Sequence, residues 1–159
     1  MPATYPSLAT AAGTTISIST TAPATHTEAG FEAVTGWIEI GAVVNGGGFP
    51  RAMREFDEVR LLDGSSLVIT RGETMDTIEV EAVYQDADAG QIAVEAASDG
   101  KTIRWFRWQT PSGLSVYCAA YVTGYAPTAA TSDDYVGVTF TIKPIFDVEG
   151  VGVVRATTP

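Results

Sequence analysis

The fold is decided by residues 75–108, MDTIEVEAVYQDADAGQIAVEAASDGKTIRWFRW, which predict a strand, a capped helix and a second strand. Within Thr77–Tyr84 apolar and polar residues alternate, and this period of two indicates a strand with one apolar and one acidic face. Thr102–Trp108 is rich in aromatic and β-branched residues, which also favour a strand.

The helix between these strands is predicted at residues 86–99. Asp86 stands at the N-cap position, where its carboxylate can accept a hydrogen bond from a free backbone N–H group. Gly100 can adopt the left-handed conformation that often ends a helix. The predicted apolar stripe contains mostly small side chains: Ala89, Ile92, Ala93 and Ala96. Because so small a stripe cannot form a core alone, we expect the helix to lie on a sheet.

The composition narrows the class of protein. The chain has 159 residues, which favours one domain, and 45% of them are hydrophobic, which is enough for a core. The formal net charge is −10 and the pI is about 4.3, whereas nucleic-acid-binding proteins normally carry a basic patch. No apolar run approaches the ~20 residues of a membrane span. The N terminus has no signal-peptide pattern, so we expect folding in a cytoplasm.

The remaining pattern predicts a mainly antiparallel β protein, either a sandwich or a partial barrel, with one flanking helix. Its main domain is predicted at residues 14–147, between flexible arms at residues 1–13 and 148–159. The other predicted strands lie at residues 14–19, 37–44, 66–71, 114–125 and 135–146.

Residues 45–63 are interpreted as a long loop that begins with three glycines. Loops above ~12 residues in a compact domain are usually functional, and interfaces use exposed aromatic and arginine side chains as anchors. Phe49, Arg51, Arg54 and Phe56 are therefore the candidate interface residues. The alternative is an ordinary excursion that packs on its own domain.

Side chains that carry chemistry are few. One histidine, His26, and one cysteine, Cys118, lie far apart in the sequence and do not suggest a zinc site or a Cys–His pair. Cys118 lies in an apolar run and is interpreted as a buried, inert thiol. Glu79 and Glu81 stand roughly 6.5–7 Å apart on one strand face, near a glycosidase spacing, but a solvated strand face gives the same pattern. We predict no enzyme activity, cofactor or metal.

The pattern as a whole resembles the major tail tube proteins of long-tailed bacteriophages, over roughly residues 13–147. The segments that carry the resemblance are GTTISIS at 13–19, GGGFPR at 46–51, DADAGQ at 86–91, FRWQTPSG at 106–113 and TSDDYVGVTFTIKP at 131–144.

This resemblance implies a structural subunit that forms hexameric rings, which stack into a hollow, non-contractile tail tube. The long loop and the terminal arms would bind the next ring. Genomic DNA would pass through the lumen to the host without specific binding. Tail terminator, tape measure and distal tail proteins would be the partners, and the location would be the virion tail after assembly in the bacterial cytoplasm. The candidate lumen-facing acidic residues are Glu79, Glu81, Asp133 and Asp134.

Two alternatives remain from the sequence. A type VI secretion-like tube protein would have a similar fold. A carbohydrate-binding β-sandwich could use Trp105 or Trp108 as a stacking platform.

Overall fold

A computed structural model describes residues 13–128, 136–146 and 150–157. Most of the regular structure in these ranges is β-strand. The elements, in chain order, are β1 (Thr15–Ser19), α1 (Glu28–Glu32), β2 (Ile38–Glu39), β3 (Val43–Asn45), β4 (Ala52–Arg60), β5 (Ser66–Met75), β6 (Ile78–Val83), α2 (Ala89–Gly100), β7 (Arg104–Gln109), β8 (Leu114–Thr128), β9 (Gly137–Ile145) and β10 (Val153–Thr157).

Eight strands form one curled antiparallel sheet, a half-barrel, which confirms the predicted fold class. Its order is β2-β1-β7-β8-β9-β6-β3. The 15-residue strand β8 is central, because β7 pairs with one edge while β10 and then β9 pair with successive parts of the other. β10 lies within residues 148–159, the segment predicted as a C-terminal arm.

The core lies between the sheet and α2, and its residues follow the predicted alternation. Phe106 and Trp108 of β7 are both buried in it. From β8 four alternate side chains are buried there as well: Val116, Cys118, Ala120 and Val122. The strands predicted at residues 102–108 and 114–125 are therefore confirmed.

The opposite side of the sheet carries a second, smaller cluster. α1, capped by the Thr27 hydroxyl, brings Phe31 onto Tyr117, with ring centroids 5.0 Å apart. Trp105 of β7 packs against this cluster. This short helix covers part of the second face and adds to the one flanking helix that was predicted.

Three predicted features of the element boundaries are wrong. The strand predicted at 37–44 is split into β2 and β3, because Ala42 between them has a left-handed φ of 55°. α2 begins after Asp88 rather than Asp86, since it is the Asp88 carboxylate that accepts the backbone N–H of Gln91 at 2.8 Å. The left-handed residue at its other end is Lys101, not Gly100.

The buried face of α2 also differs from the prediction. It consists of Gly90, Gln91, Val94 and Ala97, whereas Ile92, expected to be buried, is 51% exposed. Of the four predicted residues, Ala93 is partly buried, and both Ala89 and Ala96 are exposed. The reason lies in the close packing of Gly90 and the hydrogen bonds of Gln91.

Gln91 is buried and joins three separate segments. Its side-chain amide donates to the carbonyl oxygens of Gly41 at 3.1 Å and Val83 at 2.8 Å, and its Oε1 accepts from the Gln85 N–H at 2.9 Å. Gly90 lets the helix approach the β2 end closely, because a Cβ there would lie 2.6 Å from the Ile40 Cα. A polar residue therefore occupies the helix face that hydrophobic periodicity assigns to solvent.

Candidate assembly surfaces

The first candidate surface is a β-hairpin formed by β4 and β5, which pair with each other in a separate two-stranded sheet. Its turn is closed by a hydrogen bond from the Leu61 N–H to the Ser65 carbonyl, and the Asp63 carboxylate accepts the Ser65 N–H at 2.8 Å. Residues 52–60, predicted to lie in a loop at 45–63, are thus a strand. The prediction of a loop was wrong because this segment pairs with residues 66–75, a pairing that was not predicted.

The hairpin is long and joins the half-barrel at its base. At ~3.3 Å per residue, the nine residues of β4 span roughly 30 Å. At the base, Met75 is buried and its carbonyl accepts a hydrogen bond from the Lys143 Nζ at 2.7 Å. Farther out, a bulge opposite Glu55 and Phe56 falls beside Gly72, whose φ is +133°. Bulges increase the local twist, so the outer part is turned relative to the base.

One face of the hairpin, the apolar face, exposes four apolar side chains and also carries Asp57. Cross-strand partners share a face and successive residues alternate, so the pairing Val59↔Leu67 and Asp57↔Ile69 puts Val59, Leu67 and Ile69 on one side together with Met53. The four apolar side chains are 41–49% exposed, and Leu62 at the tip is fully exposed. A two-stranded hairpin is at best marginally stable in water alone, and contiguous exposed apolar patches mark interaction sites.

The predicted interface residues all lie on or just before this hairpin. Phe49 and Arg51 are exposed and precede β4. Arg54 and Phe56 lie on the face opposite the apolar one; the Arg54 Nε is 3.2 Å from the Glu73 carboxylate, and Phe56 is 63% exposed. The apolar face was not predicted, because the strand predicted at residues 66–71 was not paired with residues 52–60.

The second candidate surface is the face of β6 and β9 directed away from the core. Glu79 and Glu81 are both exposed there, opposite Thr141 and Thr139. Lys143 follows on the same face of β9. Asp133 and Asp134, the other predicted lumen residues, lie outside the described residues.

A groove of about 660 Å³ lies where β1, β3 and the turn between β7 and β8 meet. The apolar side chains of Ile16, Val43, Trp108 and Leu114 line it, and the backbone of Gly46–Gly48 forms another part of the wall. The indole N–H of Trp108 is buried and has no acceptor among the described residues.

The structure places the reactive side chains apart. Cys118 is buried, as predicted, and burial raises the pKa of its thiol. His26 lies on the second face, with its ring centroid 6.3 Å from that of Phe31. Within residues 13–128, 136–146 and 150–157, no group of three His, Cys, Asp or Glu residues could hold a metal ion. In the same ranges no helix is long and apolar enough to cross a membrane.

The fold is one found in tubes and related parts of phage tails and contractile injection particles. No family model and no curated protein sequence matches the chain. A chain of the anti-feeding prophage (AFP) baseplate covers 98% of this chain and 98% of its own, with a TM-score of 0.62 and 8% identity. The SPP1 tail tube protein covers 91% of this chain and 77% of its own, with a TM-score of 0.60 and 12% identity.

A third solved structure is the tail of an empty GTA particle with C6 symmetry. Its chain covers 91% of this chain and 96% of its own, with a TM-score of 0.52 and 13% identity. At these identities the similarity establishes the fold and leaves function to be argued from the surfaces.

Proposed function

We propose that the protein is a structural subunit of a phage tail tube, polymerising as stacked hexameric rings around a lumen. The observation that carries this proposal is the long hairpin with an exposed apolar face on a half-barrel of the tail tube fold. In an assembly of identical subunits every copy presents the same hairpin and the same half-barrel, so the proposed partner is another copy of this chain. The role is mechanical, so no enzyme activity is proposed.

The hairpin is proposed as the contact between successive rings. Its apolar face offers Met53, Val59, Leu67 and Ile69 for burial, and its other face offers Phe56 and the Arg54–Glu73 pair. Burying such a surface against the next ring would remove apolar area from water at ~25 cal/mol per Å². Because the hairpin contributes little to the main core, this contact can be altered without disturbing the half-barrel.

A shortened hairpin tests this contact. Removing residues 57–60 together with 66–69 deletes four matched pairs, so the remaining ladder keeps its register and its faces. We expect a folded subunit, by circular dichroism, that forms no tubes in negative-stain electron micrographs. The matched control is Ile92→Ser, which removes an exposed apolar side chain on α2 and should leave tubes intact. Normal tubes from the shortened hairpin would refute the inter-ring role.

A charge swap tests Arg54 separately from hairpin stability. The double variant Arg54→Glu with Glu73→Arg keeps an ion pair within the hairpin but inverts the charges shown to a neighbour. If Arg54 contacts carboxylates of the adjacent ring, the swap should reduce tube length or abolish stacking. Tubes of wild-type length would show that the pair serves the hairpin alone.

We also propose that the face bearing Glu79 and Glu81 lines the lumen. Both carboxylates are exposed on a sheet face directed away from the core, and like charge within a Debye length of ~8 Å would keep DNA sliding without binding. In assembled tubes, Glu79→Cys should react with a small maleimide but not with a maleimide coupled to a large globular protein. Ile92→Cys is the exposed control, and Cys118 is buried. Reaction of Glu79→Cys with the large reagent would contradict the lumen placement.

The partners and location follow from this role. A tube with open ends needs proteins that terminate it, set its length and join it to the tip, so we propose a tail terminator, a tape measure and a distal tail protein. The proposed location is the virion tail, after assembly in the host cytoplasm. The carbohydrate-binding alternative loses its platform at Trp108, whose side chain is only 2% exposed.

A further inference from the structure

We propose that the groove beside Trp108 is a docking site for the chain's own N-terminal segment, residues 1–12, bound within the same copy rather than to the next ring, as the resemblance implies for the arms. The groove volume of about 660 Å³ falls in the range of ~300–1,000 Å³ typical of sites that bury a ligand. Its ligand would be an uncharged, mostly apolar peptide segment.

The indole N–H of Trp108 is buried and has no acceptor among residues 13–128, 136–146 and 150–157. Trp108 lines the groove, and buried tryptophan N–H groups usually find a partner. An extended peptide in the groove would supply backbone carbonyl oxygens. The wall at Gly46–Gly48 has no side chains, and a Cβ on Gly48 would meet no atom within 4 Å, so there is room for a backbone to approach.

The segment is joined to the rest of the chain at the groove wall. Thr14 is part of the groove wall, and Gly13 packs on Pro111, another wall residue. Gly13 has a φ of +82°, a left-handed conformation that turns the chain at this point. Twelve residues reach at most ~40 Å at ~3.3 Å each, which is more than enough to cross the groove.

Neither the N-terminal segment nor the groove wall carries a charged side chain. Charged residues make up 18% of the chain, yet residues 1–12, MPATYPSLATAA, include none, and the groove wall includes none either. Tyr5, Pro6 and Leu8 are the apolar side chains suited to the groove. The hairpin tip of a second copy is a poorer occupant, because Asp63 follows Leu62 there and burying a carboxylate without a partner is costly.

Disulfide trapping in the full chain tests the site. Leu8→Cys is combined with Val44→Cys or Ser112→Cys, both exposed positions of the groove wall, while the native Cys118 is buried. Under mild oxidation we expect an intrachain cross-link in both pairs, seen as a faster-migrating monomer without reductant. The matched control is Leu8→Cys with Ile92→Cys, since Ile92 is exposed and lies outside the groove, and this pair should not cross-link efficiently.

Two outcomes would overturn the proposal. Cross-linked dimers would show that the segment enters the groove of a second copy, and equal cross-linking to position 92 would show no preference for the groove. An independent readout is deletion of residues 1–12, which should raise binding of an apolar fluorescent dye severalfold, with reversal by a synthetic 1–12 peptide. No dye response, or no effect of the peptide, would also contradict the proposal. Tube formation is scored separately by microscopy, so failure here leaves the tube proposal standing.

Discussion

Substituting Gly90 by alanine should destabilise the protein although alanine is the better helix former. By intrinsic propensity alone, Gly→Ala in a helix is worth up to ~1 kcal/mol of stabilisation. A Cβ at Gly90 would, however, lie 2.6 Å from the Ile40 Cα and 2.8 Å from the Glu39 carbonyl carbon. These are backbone atoms, so α2 must move away from the end of β2.

The magnitude follows from two costs. Overpacking of a fitted contact typically costs ~1–3 kcal/mol, and moving the helix also weakens the hydrogen bonds of Gln91, each worth ~1 kcal/mol. After the propensity gain, we expect a net loss of ~1–3 kcal/mol. At ~2–4 °C per kcal/mol for a domain of this size, Tm should fall by about 2–12 °C.

Gly100→Ala is the matched control on the same helix. The nearest atom to its Cβ would be the Thr102 Oγ1 at 3.6 Å, an ordinary contact, so the propensity gain should remain and Tm should rise by about 1–4 °C. Both variants are compared by calorimetry at one protein concentration, because self-association would itself raise Tm. If Gly90→Ala were as stable as wild type, or if both substitutions stabilised, close packing at Gly90 would not govern the position of the helix.

Three further predictions concern single side chains. Gln91→Leu leaves three backbone groups without their hydrogen bonds and should lower the free energy of unfolding, measured in urea, by ~2–4 kcal/mol. A loss under ~1 kcal/mol would show that these hydrogen bonds do not hold the helix in place. Because burial raises the pKa of the Cys118 thiol, a thiol reagent at pH 8 should modify Cys118 only as fast as the protein unfolds. Modification of the folded protein faster than its unfolding would contradict this prediction. Hydrogen bonds from Ser65 lower the pKa of Asp63, so these bonds should be lost and the hairpin tip should loosen as the pH falls through that lowered pKa. The amide resonance of Ser65 in NMR spectra should shift over this pH range, and an unchanged resonance would contradict the prediction.

The strands that form the core were predictable because their chemistry is repetitive. The alternate residues from Phe106 to Trp108 in β7 and from Val116 to Val122 in β8 are apolar and buried, so their apolar pattern identifies these strands. The helix face was not predictable in the same way. Hydrophobic periodicity cannot show that Gln91 is buried by hydrogen bonds to distant residues such as Gly41, or that Gly90 permits a close approach.

The candidate surfaces were predictable only in part. The sequence located Phe49, Arg51, Arg54 and Phe56 in an exposed segment, and the structure places them on or just before one hairpin. A strand was predicted at residues 66–71, but its pairing with residues 52–60 was not, and the apolar face exists only once these two strands are paired in register. The groove joins three elements distant in sequence, so no local pattern identifies it.

The most direct test of the tube account is electron microscopy of the purified protein over a range of concentrations. The account predicts rings with a central channel that stack into tubes as the concentration rises, with one hairpin of each copy reaching into the next ring. Copies that remain single at every concentration, with and without the other tail proteins, would contradict it.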